Sequence, residues 1–304
     1  TSLPNTTSVC AGASITFISV GNNLGSTPVR QWKINGNLVG TNSNTYVTNS
    51  LVNGDVITCE ITSSLSCVTT NTALSSPITM TVNPTPTVNT VANQVHCVGS
   101  GSNAVTFAST FNVTGTTYAW TNTNTTIGLA ASGATNIGSF VTALPTPFNV
   151  AQVGTVTVTS SANNCPGATQ TFTYTVNPTP VIAAKAQTIC TGTAFTIAPS
   201  NNIAVTPMEI VPAGTQYTWT VGANIVGATS EATAQNNISQ TLTNATSSPV
   251  VVVYTVTPTY TNAGVTCTGS PFFVTVTVNP TMNIANVNTT ICTGSTFAIT
   301  PVDG

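Results

Sequence analysis

Apolar and polar residues alternate with a period of two through long stretches of this chain. Thr155-Val156-Thr157-Val158-Thr159 shows the pattern, and so do the runs from Phe172 to Val176 and from Phe272 to Val278. Alternation of this kind sets one face of an extended strand against a core and the other in water. Threonine suits the wet face because its β-branch fits a pleated backbone. Turn residues punctuate the runs, as in Gly21-Asn22-Asn23, Asn35-Gly36 and Asn53-Gly54-Asp55. Helical periodicity is nearly nil, so the expected class is all-β.

The strands recur in a larger pattern. Thr81-Val82-Asn83-Pro84-Thr85-Pro86 returns as Thr175-Val176-Asn177-Pro178-Thr179-Pro180, and again as Thr277-Val278-Asn279-Pro280-Thr281. A Cys, a Gly two residues later and then a Phe form a second phrase: Cys10-Ala11-Gly12…Phe17, Cys97…Gly99…Phe107, Cys190-Thr191-Gly192…Phe195 and Cys292-Thr293-Gly294…Phe297. The first cysteines are spaced by 87, 93 and 102 residues, the length of one small β-sandwich per repeat. Modules are therefore expected at 1–84, 85–178 and 179–280, with 281–304 opening a fourth. The window is read as a piece of a longer array. Each full repeat holds one tryptophan, Trp32, Trp120 or Trp219, 22 to 29 residues after its first cysteine. The order cysteine, strand, tryptophan strand, later cysteine follows the logic of an immunoglobulin-like sandwich, with the Trp in its centre. A sugar-stacking platform is the functional alternative for these rings. Pro84, Pro86, Pro178, Pro180 and Pro280 fix φ at the joints and predict short, semi-rigid linkers between modules standing end to end.

Cysteine usage points to an oxidising compartment. Repeats two and three hold two cysteines each, which suggests one disulfide within each module: Cys97 with Cys165 and Cys190 with Cys267, with Cys10 and Cys67 as the matching pair in repeat one. In the chain-entropy model, closing such loops is worth roughly 4 kcal/mol each. Cys292 would find its partner beyond Gly304. Cys59 shares a strand face with Ile57 and Ile61. It reads as a buried free thiol, the alternative being that it replaces Cys67 as the partner of Cys10.

Charge changes the picture most by its scarcity. The 304 residues hold three Lys and Arg, five Asp and Glu, and one His, where a typical domain is about a quarter charged. No basic patch invites nucleic acid, and no apolar run approaches the ~20 residues of a membrane span. His96 stands without an acidic neighbour, so it forms no catalytic pair and reads as an edge residue near a joint. The carboxylates Asp55, Glu60, Glu209, Glu231 and Asp303 are scattered, with Arg30 and Lys33 as partners for one of them. They neither pair as in a glycosidase nor gather at a joint as calcium ligands would. No catalytic, metal or cofactor site is expected. Asn-x-Ser/Thr sequons at Asn5, Asn112, Asn124, Asn237, Asn244 and Asn288 matter only where the source glycosylates them.

Three segments together carry a family likeness: Val9-Cys10-Ala11-Gly12, Gln31-Trp32-Lys33-Ile34-Asn35-Gly36, and Asn53-Gly54-Asp55 running on through Val56-Ile57-Thr58-Cys59-Glu60-Ile61-Thr62. With the closing Thr-Val-Asn-Pro, they resemble the tandem PKD-like or immunoglobulin-like repeats of giant Bacteroidota surface proteins. Repeats two and three drop the Asn-Gly-Asp turn. The resemblance implies export to the cell surface, often by the type IX system, and a role as adhesin, gliding adhesin or extended fibre. The expected protein is thus a non-catalytic structural repeat region, a rod or self-associating fibre whose partners are other copies of the same chain. The sparse Lys on its strand edges favours such pairing. A carbohydrate- or host-surface-binding array is the alternative, with Tyr46, Phe111, Phe148 or Tyr260 as contact rings and the segments 203–212 and 236–248 as binding loops.

Overall fold

The computed structural model describes residues 7–66, 69–111, 113–145, 148–283, 288, 290–298 and 300. These residues fold as a tandem array of immunoglobulin-like β-sandwiches with three separate hydrophobic cores. The only helical turn among them is a 3₁₀ turn, Thr125–Ile127.

The first module carries β1 (Ser8–Cys10), β2 (Ile15–Ile18), β3 (Val29–Ile34), β4 (Asn37–Val39), β5 (Thr45–Thr48), β6 (Val56–Thr62), β7 (Thr72–Leu74), β8 (Ile78–Thr79) and β9 (Thr81–Asn83). One sheet runs β4-β3-β6-β7, with β8 also on β6, and β2 pairs β5 on the opposite side. The second module has β10 (Gln94–Cys97), β11 (Thr117–Asn122), β12 (Ser132–Gly133), β13 (Gln152–Ala162), β14 (Cys165–Pro166) and β15 (Gln170–Asn177). Its sheet is ordered β10-β15-β13-β11-β12, with β14 on the end of β13. Single bridges, Gly101 to Val141 and Val105 to Ile137, stand where the first module has its β2–β5 pair. The third module has β16 (Lys185–Cys190), β17 (Ala194–Ile197), β18 (Gln216–Val221), β19 (Glu231–Gln235), β20 (Ile238–Thr241), β21 (Val250–Asn262), β22 (Val265–Thr268) and β23 (Phe272–Asn279). Its main sheet is β16-β23-β21-β18-β19, with β22 on β21, and β17 pairs β20.

Each module opens on a strand that runs parallel to its own last strand: β1 beside β9, β10 beside β15, β16 beside β23. All other strand pairs are antiparallel. The parallel pair brings the first cysteine of the module level with its closing asparagine. The matched positions are Cys10 with Asn83, Cys97 with Asn177 and Cys190 with Asn279.

The period-two runs behave as half-buried strands. Along β13, Val156 and Val158 are fully buried while Thr155 and Thr157 are partly exposed. Trp32, Trp120 and Trp219 are all buried core residues. Each indole N–H donates to a backbone carbonyl, of Ser43, Thr135 and Thr229 respectively, so no polar atom is stranded by the burial. Trp120 lies opposite Val158, and Trp219 opposite the equivalent Val256. In the first module, that rung belongs to Cys59 facing Trp32. Cys59 is free and fully buried, and burial pushes its thiol pKa up. It packs as a small apolar side chain and does not bond Cys10.

Candidate functional site at the joints between modules

The disulfides do not close within modules. Cys10 bonds Cys165 and Cys97 bonds Cys267, across 155 and 170 residues of sequence, with Cα atoms 5.5 and 5.6 Å apart. Cys190 is free and exposed. The expected pairs Cys97–Cys165 and Cys190–Cys267 are therefore overturned. Cys10–Cys67 falls with them, because Cys10 is taken by Cys165; Cys67 itself lies outside the described residues.

Strand register supplies the physical reason. Cys97 is level with Asn177, one rung beyond the pair Gln152–Val176 that opens β13. Cys165 faces Ala162, ten residues further along β13. At about 3.3 Å per residue, the two cysteines stand roughly 33 Å apart at opposite ends of one sheet. A disulfide tolerates at most about 7 Å between Cα atoms. The third module repeats the geometry: Cys190 is level with Asn279, β21 opens at Val250 opposite Val278, and Cys267 faces Tyr260 ten residues on. What lies within reach of a module's first cysteine is the near end of the module that follows.

Each joint is thus crossed twice. On one side the chain leaves the last strand through Asn83-Pro84-Thr85-Pro86, or through Asn177-Pro178-Thr179-Pro180. On the other side the first cysteine meets a hairpin of the next module. The two sides are bound together at both ends. The amide of Ala11 donates to Asn83 O at 2.8 Å, and that of Val98 to Asn177 O at 2.9 Å. At the far end, Gly167 lies against the carbonyl of Pro86, and Gly269 against that of Pro180, so closely that a Cβ on either glycine would overlap it. Linker and disulfide tie each module to the next at two covalent points, which restricts swing of one module on the other.

The hairpins that carry the later cysteines turn on two residues with positive φ. These are Asn163 (50°) and Asn164 (61°) in the second module, and Ala263 (48°) and Gly264 (78°) in the third. Two such residues make the tight turn whose twist matches the flanking strands. Cys165 and Cys267 occupy the same rung, yet the third-module hairpin extends two residues further on each strand. The extension places Asn262 against Asn177. Each carboxamide donates to the other residue, Asn262 Nδ2 to Asn177 Oδ1 at 2.8 Å and Asn177 Nδ2 to the Asn262 carbonyl at 3.1 Å. Asn177 is fully buried there.

The signal for this pairing was present but weak. Cys165 follows directly on a turn and Cys267 stands three residues past one, whereas an inter-sheet cysteine belongs in mid-strand facing the Trp. That mid-strand place is filled by Cys59, Val158 and Val256.

The remaining singled-out residues have structural roles. His96 lies on edge strand β10, its Nε2 2.9 Å from Gln94 Oε1, and burial lowers its pKa. Lys33 pairs with Glu60 at 2.5 Å across β3 and β6, and Lys185 with the buried Glu209 at 2.6 Å. Buried Asp55 accepts from Asn35 Nδ2 at 2.8 Å and from the Val52 amide at 2.9 Å. Glu231 accepts from the amide of Thr233, and Asp303 lies outside the described residues. Among the described residues, no three His, Cys, Asp or Glu gather as a metal site, and no helix is long and apolar enough to cross a membrane. Two sequon asparagines are engaged in turns. Asn124 caps the 3₁₀ turn, and buried Asn244 donates to Ser248 O and Val278 O, each at 2.8 Å. The aromatic residues offered as a glycan surface do not assemble. Tyr46 stacks on Trp32 with ring centres 5.9 Å apart. Phe148 and Tyr260 are half-buried, and Phe111 stands exposed in another module from Tyr260.

Residues 187–282, essentially the third module, match the model of the PKD-like domain family. No curated protein matches the chain. Among solved structures, mouse cadherin-23 repeats EC22–24 align at 10% identity over 90% of this chain and 95% of that one, with a TM-score of 0.30. The three N-terminal domains of the bacteriophage RB49 outer capsid protein Hoc align at 11% over 90% and 96%, with a TM-score of 0.33. The insect immune protein hemolin aligns at 10% over 92% and 77%, with a TM-score of 0.27. At scores this low, the superpositions carry no argument about what the chain does.

Proposed function

We propose that this chain is a non-catalytic structural repeat region of a long extracellular surface protein, a stiff rod that serves adhesion or motility and associates laterally into fibres. One observation carries the reading: both described joints are locked by a disulfide as well as by a proline linker. A linker that only spaces domains does not need a second covalent tie, whereas a rod that must hold its direction under load does. The bonds also require an oxidising compartment, which supports an extracellular location.

Lateral association has its own support. Edge strand β16 carries a single lysine, Lys185, and its ammonium is held by Glu209. The edges therefore present backbone groups with little charge to repel a partner strand.

The test is electron microscopy of native material from the source cells, labelled with an antibody to this chain and averaged along any filament axis. Labelled rods or continuous fibres at the cell surface are expected. Label confined to the cell interior, or to compact particles without an axis, overturns the proposal.

A further inference from the structure

We propose that the end of the third module around Cys190 is a covalent docking site, and that its occupant is the cysteine-bearing hairpin of another module of this repeat type joined after Pro280. The inference rests on the stapled-rod reading and extends it to a joint whose cysteine is unpaired.

The site matches the two occupied joints in strand register and in its backbone hydrogen bond. Cys190 is level with Asn279, as Cys10 is with Asn83 and Cys97 with Asn177. The amide of Thr191 donates to Asn279 O at 2.9 Å, the bond made by Ala11 and Val98 at their joints. The Thr193 hydroxyl donates to Cys190 O at 2.6 Å, as the Ser100 hydroxyl does to Cys97 O at 2.7 Å. The difference lies in cover. Cys10 and Cys97 are half-buried beneath an incoming hairpin, whereas Cys190 is exposed. The same residue in the same setting is bonded at two joints and bare at the third.

The direction of bonding identifies the occupant. At both joints the donor hairpin belongs to the module that follows the linker, never the one before. After Pro280 the chain runs into Cys292-Thr293-Gly294-Ser295-Thr296-Phe297, the opening phrase of this repeat type. The incoming cysteine must stand at the rung of Cys165 and Cys267. The step joins two thiols as a disulfide. Two electrons and two protons pass to an oxidised thiol couple, such as a glutathione disulfide or an exported disulfide oxidase.

The test extends the chain by fusing a second copy of residues 179–280 directly after Pro280, with a Val265→Ile mass tag in the added copy. The protein is oxidised in a glutathione buffer and its linkages are read by peptide mapping. The expected product contains Cys190 of the original module bonded to the tagged Cys267, with Cys97 still bonded to the untagged one. A Cys190→Ser version should leave the tagged cysteine free to alkylation. A tagged cysteine that stays free beside intact Cys190, or that bonds between chains, overturns the inference while the Cys97–Cys267 bond preserves the rod reading. Loss of the Cys97–Cys267 bond in the unextended chain overturns both.

Discussion

The crossed disulfides predict the fate of a chain cut between β14 and β15. The loop there is exposed at Ala168 and Thr169, so a protease recognition sequence inserted between them should be tolerated. The cut divides 304 residues into 168 and 136. In proportion to 30.8 kDa, the pieces are about 17 and about 14 kDa. Because Cys10–Cys165 and Cys97–Cys267 overlap, Cys97 on the first piece holds Cys267 on the second. Had each module closed on itself, residues 166–189 would be the only connection and the cut would sever it. The geometry leaves little middle ground, since the within-module pair Cys97–Cys165 would have to bridge roughly 33 Å in the folded sheet. The assay is a denaturing gel after cleavage, with free thiols alkylated beforehand so that Cys59 and Cys190 cannot exchange. A single band at full mass without reductant, and two bands with it, is the expected result. Two bands without reductant would refute the register argument and the stapled joint together.

Force should reveal the same network from its ends. Between residues 10 and 267 the two bonds create three parallel covalent paths of 87, 68 and 102 residues, from the cysteine positions 10, 97, 165 and 267. The shortest caps extension at about 230 Å, against about 870 Å for the same 257 residues after reduction; single-molecule pulling that shows no reductant-dependent gain would contradict this. Replacing Gly269 by Ala forces a methyl against the Pro180 carbonyl and the Pro258 ring. We expect a loss of about 1–3 kcal/mol by denaturant titration and slower closure of the Cys97–Cys267 bond. Asp55→Ala removes the acceptor of Asn35 Nδ2 and the Val52 amide in a buried turn, so thermal melts should show a loss of about 1–3 kcal/mol. Burial pushes Tyr174, Tyr217 and Tyr254 up from 10.0 to about 12. The folded state therefore holds these protons more tightly than the unfolded state. Stability should be unaffected by these rings below pH 10 and fall between pH 10 and 12, by at most about 3 kcal/mol per ring. In a variant with Tyr46, Tyr118 and Tyr260 replaced by Phe, phenolate absorbance that rises near pH 10 while the fold persists would contradict the burial.

Local pattern was enough to read the class of fold, the repeat and the scarcity of charge. Period-two alternation in runs such as Thr155–Thr159 depends only on neighbours in the strand, and strand and face follow from it directly. Trp32, Trp120 and Trp219 were legible as core for the same reason, since each sits in such a strand with its apolar face set by local pattern. The cysteines were legible as disulfide formers and no further. Which sulfur meets which depends on where two strand ends lie in space, and a module whose β13 is 11 residues long puts its own pair at opposite ends. The parallel register of Cys97 with Asn177 and the reach of the next hairpin, both set by packing in three dimensions, tie module to module. The joint, and with it the function proposed for the chain, comes from contacts between residues more than 150 positions apart, a distance over which local pattern carries no information.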